Sequence, residues 1–165
     1  MSKCNKIIDF VKHTKNGYVI PENISLEERM DKFPIISDVV AVSWYCNHNE
    51  IKIELGADFL SPGILPDRTG VVLLQPSHKF GHNNAVIVNA DGTTRFTLIN
   101  PYRKNPYYYD GDEYEFLCTK IEGNRFGMIV GVGRKDKDTG GYLTTEWFYE
   151  LDANTGSFDS YHVVR

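Results

Sequence analysis

The sequence predicts a mainly β protein, an antiparallel meander of about nine strands with one or two short helices at its N-terminal end. Three observations carry that prediction. Ten Tyr, nine Phe and fourteen Gly tilt the composition toward strands and turns. From Asp38 onward the apolar residues fall in short runs, several of them alternating with polar residues. Between the runs lie brief connections rich in Asn, Asp and Gly, short enough to join sequential antiparallel neighbours.

At the front, Cys4, Ile7, Ile8 and Val11 fall on one helical face and Asn16-Gly17 supplies a stop, which predicts a short amphipathic helix. Ser25 with Glu28 is a capping-box pattern. It predicts a second helix of about two turns, with Leu26, Met30 and Phe33 on one side, ending before Pro34.

The strand grammar opens with Val39 to Cys46, a polar Asn47-His48-Asn49 turn, and Ile51 to Leu55, in which apolar residues alternate with Lys52 and Glu54. Trp44, on an apolar strand, is expected in the core. Residues Gly56 to Gly70, with Pro62, Gly63 and Pro66, read as loop, and Val71 to Gln75 as a strand closed by Pro76. Ala85 to Asn89 and Thr94 to Ile99 flank Ala90-Asp91-Gly92-Thr93, where Asp-Gly permits the positive φ of a tight turn. Two further pairs follow, Tyr114 to Ile121 with Phe126 to Gly133, and Leu143 to Leu151 with Ser157 to Val164. Such a meander must fold on itself as a sandwich, an open barrel or a partial propeller. The hairpins around Asp91-Gly92 and Asn154-Thr155-Gly156 look alike, which hints at two copies of one unit.

One domain, residues 1–165, fits this length. Cys4, Cys46 and Cys118 are odd in number and widely spaced, so they read as three free thiols rather than a disulfide framework or zinc ribbon. The first residues lack the apolar core of a signal peptide, and no apolar run approaches the roughly 20 residues of a membrane span. A cytoplasmic location follows. The net charge is −4, and residues 111–165 hold six Lys and Arg against ten Asp and Glu. Nucleic-acid binding, which needs a basic stripe, is disfavoured, and a basic partner is favoured.

No catalytic motif is written in the chain. His78 and His82 stand four apart, but Pro76 and Gly81 place them in a loop and no ligand completes a metal site, so neither metal nor cofactor is expected. Cys46-Asn47-His48 straddles a turn, where side chains point apart more often than together. Gly127, Gly131 and Gly133 lie inside a strand pattern with no helix after them, which points to close packing rather than a phosphate loop.

The unusual segment runs from Pro106 to Phe116. Its Tyr107, Tyr108 and Tyr109 cannot all face inward on a strand, and they stand beside Asp110, Asp112, Glu113 and Glu115. Exposed tyrosine among carboxylates suits recognition of a basic protein surface, the rings as anchors and the charges as steering. These seven residues are the candidate partner-binding site, with the Gly56 to Gly70 and Arg134 to Gly141 loops next in line.

The stretch Asn84 to Tyr102 and the hairpin Asp152 to Ser157 resemble the small, acidic immunity proteins of bacterial polymorphic-toxin and contact-dependent growth-inhibition systems. That resemblance implies a non-enzymatic inhibitor, a monomer in a 1:1 complex, that protects its producer by occluding a cognate toxin domain, often a nuclease with a basic cleft. Two other readings stand beside it. One is a small β hydrolase using His78 or His82 with a distant carboxylate. The other is a carbohydrate-binding module in which Tyr107 to Tyr109 and Trp147 stack on sugar rings.

Overall fold

Every apolar run from Val39 onward forms a strand close to its predicted bounds. The structure, a computed structural model, describes residues 6–32, 39–55 and 62–164. Strands β1 (Ile8–Thr14) and β2 (Val19–Pro21) precede helix α1 (Leu26–Lys32), and β3 (Val39–Cys46) and β4 (Asn49–Glu54) follow it. Next come β5 (Gly63–Ile64), β6 (Gly70–Leu74), the short helix α2 (Ser77–Phe80), β7 (Ala85–Asn89) and β8 (Thr94–Thr97). The chain ends on β9 (Glu113–Glu122), β10 (Arg125–Lys135), β11 (Tyr142–Asp152) and β12 (Ser157–Val163).

These strands make three four-stranded antiparallel sheets, ordered β2-β1-β3-β4, β5-β6-β7-β8 and β9-β10-β11-β12. They are layered, not closed into a barrel. The middle sheet explains the arrangement, because β6 is buried along its whole length. Val72 and Leu74 on one face join Phe116, Met128 and Trp147 of the third sheet, and Val71 and Leu73 on the other join Phe10, Val42 and Trp44 of the first. A strand covered on both sides reads as a continuous apolar run, which is what Val71 to Leu74 shows. Trp44 is fully buried and donates its indole N–H to the Ala90 carbonyl at 2.6 Å, linking first and middle sheets.

The two look-alike hairpins are β7–β8 and β11–β12, the third and fourth strands of consecutive sheets, and β3–β4 occupies the same place in the first. The Asn47-His48 turn has φ of 49° and 65°, the two positive values that a two-residue type I′ hairpin needs.

The N-terminal segment is corrected from helix to strand. Asp9 sits at φ 53° in a bulge where the pairing of β1 with β3 shifts register. The extra residue turns both Ile7 and Phe10 into the core, whereas Ile8, which the helical spacing grouped with Ile7 and Val11, is exposed. The second helix does form at α1, and Ser25 caps it by accepting from the Glu28 N–H at 3.1 Å. Its expected end, Phe33 and Pro34, lies outside the described residues. The thiol reading is corrected in part: Cys118 is free, whereas Cys46 is disulfide-bonded, and Cys4 lies outside the described residues.

Candidate protein-binding site

The predicted site residues belong to two structures that meet at one end of the third sheet. Tyr107, Tyr108, Tyr109 and Asp110 lie in the connection before β9, and Asp112 closes it. Glu113 and Glu115 are on β9 itself. The connection is ordered by three buried polar side chains. Asn100 accepts from the Tyr102 N–H at 3.2 Å and starts the 3-10 turn Pro101–Lys104. Asn105 accepts from the Tyr107 N–H at 2.9 Å and donates to the Tyr149 hydroxyl at 2.7 Å. Asp112 accepts from the Tyr109 N–H at 3.0 Å and the Tyr102 hydroxyl at 2.9 Å.

Arg134, on β10, completes this arrangement. Its Nε and Nη2 reach the two Asp112 oxygens at 2.7 Å each, and Nη2 also donates to the Tyr107 carbonyl at 2.9 Å. The guanidinium lies 4.5 Å from the centre of the Tyr109 ring, a cation–π contact. The Arg134 hydrogen bonds hold the Asp112 carboxyl below the ordinary aspartate range, and Asp112 in turn holds the Arg134 guanidinium above its own. Burial, reinforced by the bond to Asp112, pushes the Tyr102 phenol up to about 12.

The predicted residues therefore divide. Asp112 has only 1% of its side chain exposed and is committed to Arg134. Tyr108 packs inward, edge-on to Tyr102 and Tyr114. Tyr107 and Tyr109 are each 66% exposed, and Asp110 and Glu113 face solvent. Glu115 is half-buried on the outer face of the sheet.

What the sequence reading missed is the partner element across from the tyrosines. The first five residues of β11, Tyr142 to Glu146, are exposed on both faces, so the β10–β11 hairpin projects as an arm. Its faces differ. On the inner side, Leu143, Val163 and Trp147 with Tyr107 line a groove of about 470 Å³. The Tyr107 ring stacks on Trp147 at 5.5 Å, and Tyr161 meets the same indole edge-on at 5.9 Å. On the outer side lies a cleft of about 740 Å³ lined by Glu113, Glu115, Glu146, Leu117 and Tyr142, with no Lys or Arg in its lining. Lys135 shares that face farther toward the tip. The glycines make the cleft: a Cβ on Gly131 would collide with Leu117 and one on Gly133 with the Tyr142 ring, so both large side chains lie flat across β10. Close packing is their role, as expected. The signal that could have found the arm is the pair of long alternating runs in which Gly131 and Gly133 stand opposite Glu146 and Thr144.

The histidines do not assemble a site. His78 and His82 are exposed, and His82 stacks on Tyr114 at 4.3 Å. Among the described residues no group of three or more His, Cys, Asp or Glu is placed to hold a metal. Trp147 is covered by the rings of Tyr107 and Tyr161 and offers no open stacking platform. No helix among the described residues is long and apolar enough to cross a membrane.

No family model and no curated protein matches this sequence. In fold, the chain is similar to a chain in the solved structure of Tne2 in complex with Tni2. The TM-score is 0.66 at 16% identity, over 96% of this chain and 99% of the other.

Proposed function

We propose that this chain is the immunity partner of a toxin, a stoichiometric inhibitor that binds a cognate basic toxin domain and occludes it. The observation that carries the reading is the exposure of Tyr107 and Tyr109 on a pre-ordered loop and of Tyr142 and Leu143 on the two faces of the adjoining arm. Rigid aromatic side chains of this kind lose little entropy on binding and supply the anchors of protein interfaces. The carboxylates of Asp110, Glu113, Glu115 and Glu146 beside them would steer a basic surface toward the anchors. Asp112 and Tyr108, within the same segment, act by holding the loop in shape.

Two further points support an immunity role over catalysis. The chain resembles immunity proteins in its Asn84 to Tyr102 and Asp152 to Ser157 segments, and its fold recurs in a chain of the solved structure of Tne2 in complex with Tni2. The hydrolase reading has little to build on, since His82 is stacked against a tyrosine rather than aimed at a carboxylate.

The test is co-expression with the protein encoded by the adjacent gene. The expected result is growth inhibition by that protein alone, relief by this chain, and a 1:1 complex on purification. Relief should be lost with folded Tyr107→Ala plus Leu143→Ala. Unaltered relief by that double variant would remove this surface from the interface, and a neighbour that neither inhibits growth nor binds would remove the immunity reading.

A further inference from the structure

The third sheet has an edge segment without the usual protection. Beta strands at sheet edges carry unpaired backbone groups, and native proteins guard them with charge, proline or brevity. Here β9 carries Glu113, Glu115 and Lys120, β4 carries Glu50, Lys52 and Glu54, β2 is three residues long with Pro21, and β5 has two residues. The arm has no such guard. On β11 the sequence Tyr142-Leu143-Thr144-Thr145 is uncharged and strand-forming, and among the described residues is paired only on its β10 side, Arg134 to Leu143 and Gly133 to Thr144.

The phase of the ladder fixes which groups are left over. The Val164 N–H donates to the Glu146 carbonyl at 2.8 Å, the last bond between β11 and the strand beyond it among the described residues. Backbone groups of alternate residues point to the same neighbour, so those of Tyr142 and Thr144 face away from β10. No strand among the described residues pairs with them.

We infer that this edge, Tyr142 to Thr145, takes an extended segment of the protein partner as an added strand of the third sheet, a segment alternating basic with apolar side chains. The inference rests on the toxin-binding reading above. Alternation follows from the pleat, because successive side chains of an added strand fall on opposite faces. Inward side chains would meet Leu143, Val163 and Trp147, which take apolar groups. Outward ones would lie beside Glu146 and the cleft it shares with Glu113 and Glu115, whose lining holds no cation. Charge complementarity selects lysine or arginine there.

The probe is a short synthetic peptide alternating lysine and valine, with a glutamate–valine peptide for comparison, and the readout is amide hydrogen exchange of the intact chain. The lysine peptide should slow exchange of the Tyr142 and Thr144 amides by about tenfold or more, the mark of new backbone hydrogen bonds. Thr144→Pro removes the outward N–H without touching a bond to β10, so it should abolish the effect. Thr144→Lys, which keeps the backbone intact, should weaken peptide binding by placing a cation at the cleft. Protection elsewhere, none at these two amides, or equal protection by the glutamate peptide would overturn the inference. Toxin relief that survives in Thr144→Pro sinks the added strand alone. Failed relief by a wild-type chain that still pairs with the peptide sinks the immunity reading alone.

Discussion

Asp112 and Arg134 form a bidentate ion pair that ties the loop before β9 to the arm, with two N–O distances of 2.7 Å. The carboxylate is buried while the guanidinium side chain is 37% exposed, so the pair sits where desolvation is partial. Losing the carboxylate leaves Tyr102, Tyr109 and Arg134 short of an acceptor, and Asp112→Asn should cost about 1–3 kcal/mol at neutral pH. The pH dependence has a definite sign. The folded pKa of Asp112 is depressed, so its contribution is fully present above the unfolded value of about 4 and is lost as pH falls through the folded one. Denaturant melts of wild type and Asp112→Asn should differ by a constant amount from pH 7 to about 5 and converge in stronger acid. A gap that closes near neutral pH would mean that another group is responsible.

Gly127 and Gly133 predict unequal costs for the same substitution. A Cβ on Gly127 would run into the Tyr149 carbonyl and the Phe148 ring, neither of which can move without shifting β11. Gly127→Ala should destabilise by about 2 kcal/mol or more. At Gly133 the obstacle is the exposed Tyr142 side chain, which can swing away, so the cost should stay below about 1 kcal/mol while the outer cleft loses a wall. Chemical denaturation of the two variants separates them.

Trp44 predicts a large loss in the other core. Its ring stacks on Phe10 at 6.0 Å and its N–H is satisfied by Ala90. Trp44→Ala should cost about 3–5 kcal/mol through the cavity it leaves. Trp44→Phe should cost less, retaining the packing and stranding one carbonyl, as equilibrium unfolding would register.

Cys118 and Cys46 predict opposite behaviour toward reagents. Burial, with Glu146 nearby, pushes the Cys118 thiol up, so alkylation there should be slow at neutral pH and accelerate only in alkali. The disulfide at Cys46 constrains the unfolded chain, and reductant should lower the melting temperature by several degrees. Mass spectrometry of the alkylated protein would locate both effects.

Binding kinetics separate anchors from steering charges. With the toxin domain in hand, Tyr107→Ala should chiefly speed dissociation, by about 2 kcal/mol at a hot spot, or roughly thirtyfold. Charge reversal at Asp110, Glu113 and Glu115 should slow association and flatten its dependence on salt. Surface plasmon resonance at several ionic strengths distinguishes the two.

The parts of this fold that were legible are those where pattern and turn agree locally. Thr94 to Thr97 follows an Asp-Gly turn, and Gly92 has the φ of 90° that such a turn asks for. The N-terminal strand was hidden because Ile7, Ile8 and Val11 fall at helical spacing, although Ile8 is exposed and Phe10 takes the core position, and only pairing with β3 reveals the true register. In the site, the identity of the tyrosines was visible but their direction was not. It depends on Asn105 and Asp112, whose partners Tyr149 and Arg134 are 44 and 22 residues away. Asn84 is a similar case, bonding both the N–H and the carbonyl of Phe116 from 32 residues off. Long-range polar pairs of this sort leave no periodic trace in a sequence.

The middle sheet, wrapped on both faces, couples the fates of the two outer ones. Detaching the first sheet would strip Val71 and Leu73 of their cover, and detaching the third would strip Val72 and Leu74. Either event presents water with an uncharged apolar face, against which another chain in the same state can pack. Partial opening is therefore a hazard to the cell as well as a loss of function, and selection should favour a chain that stays whole or comes apart all at once.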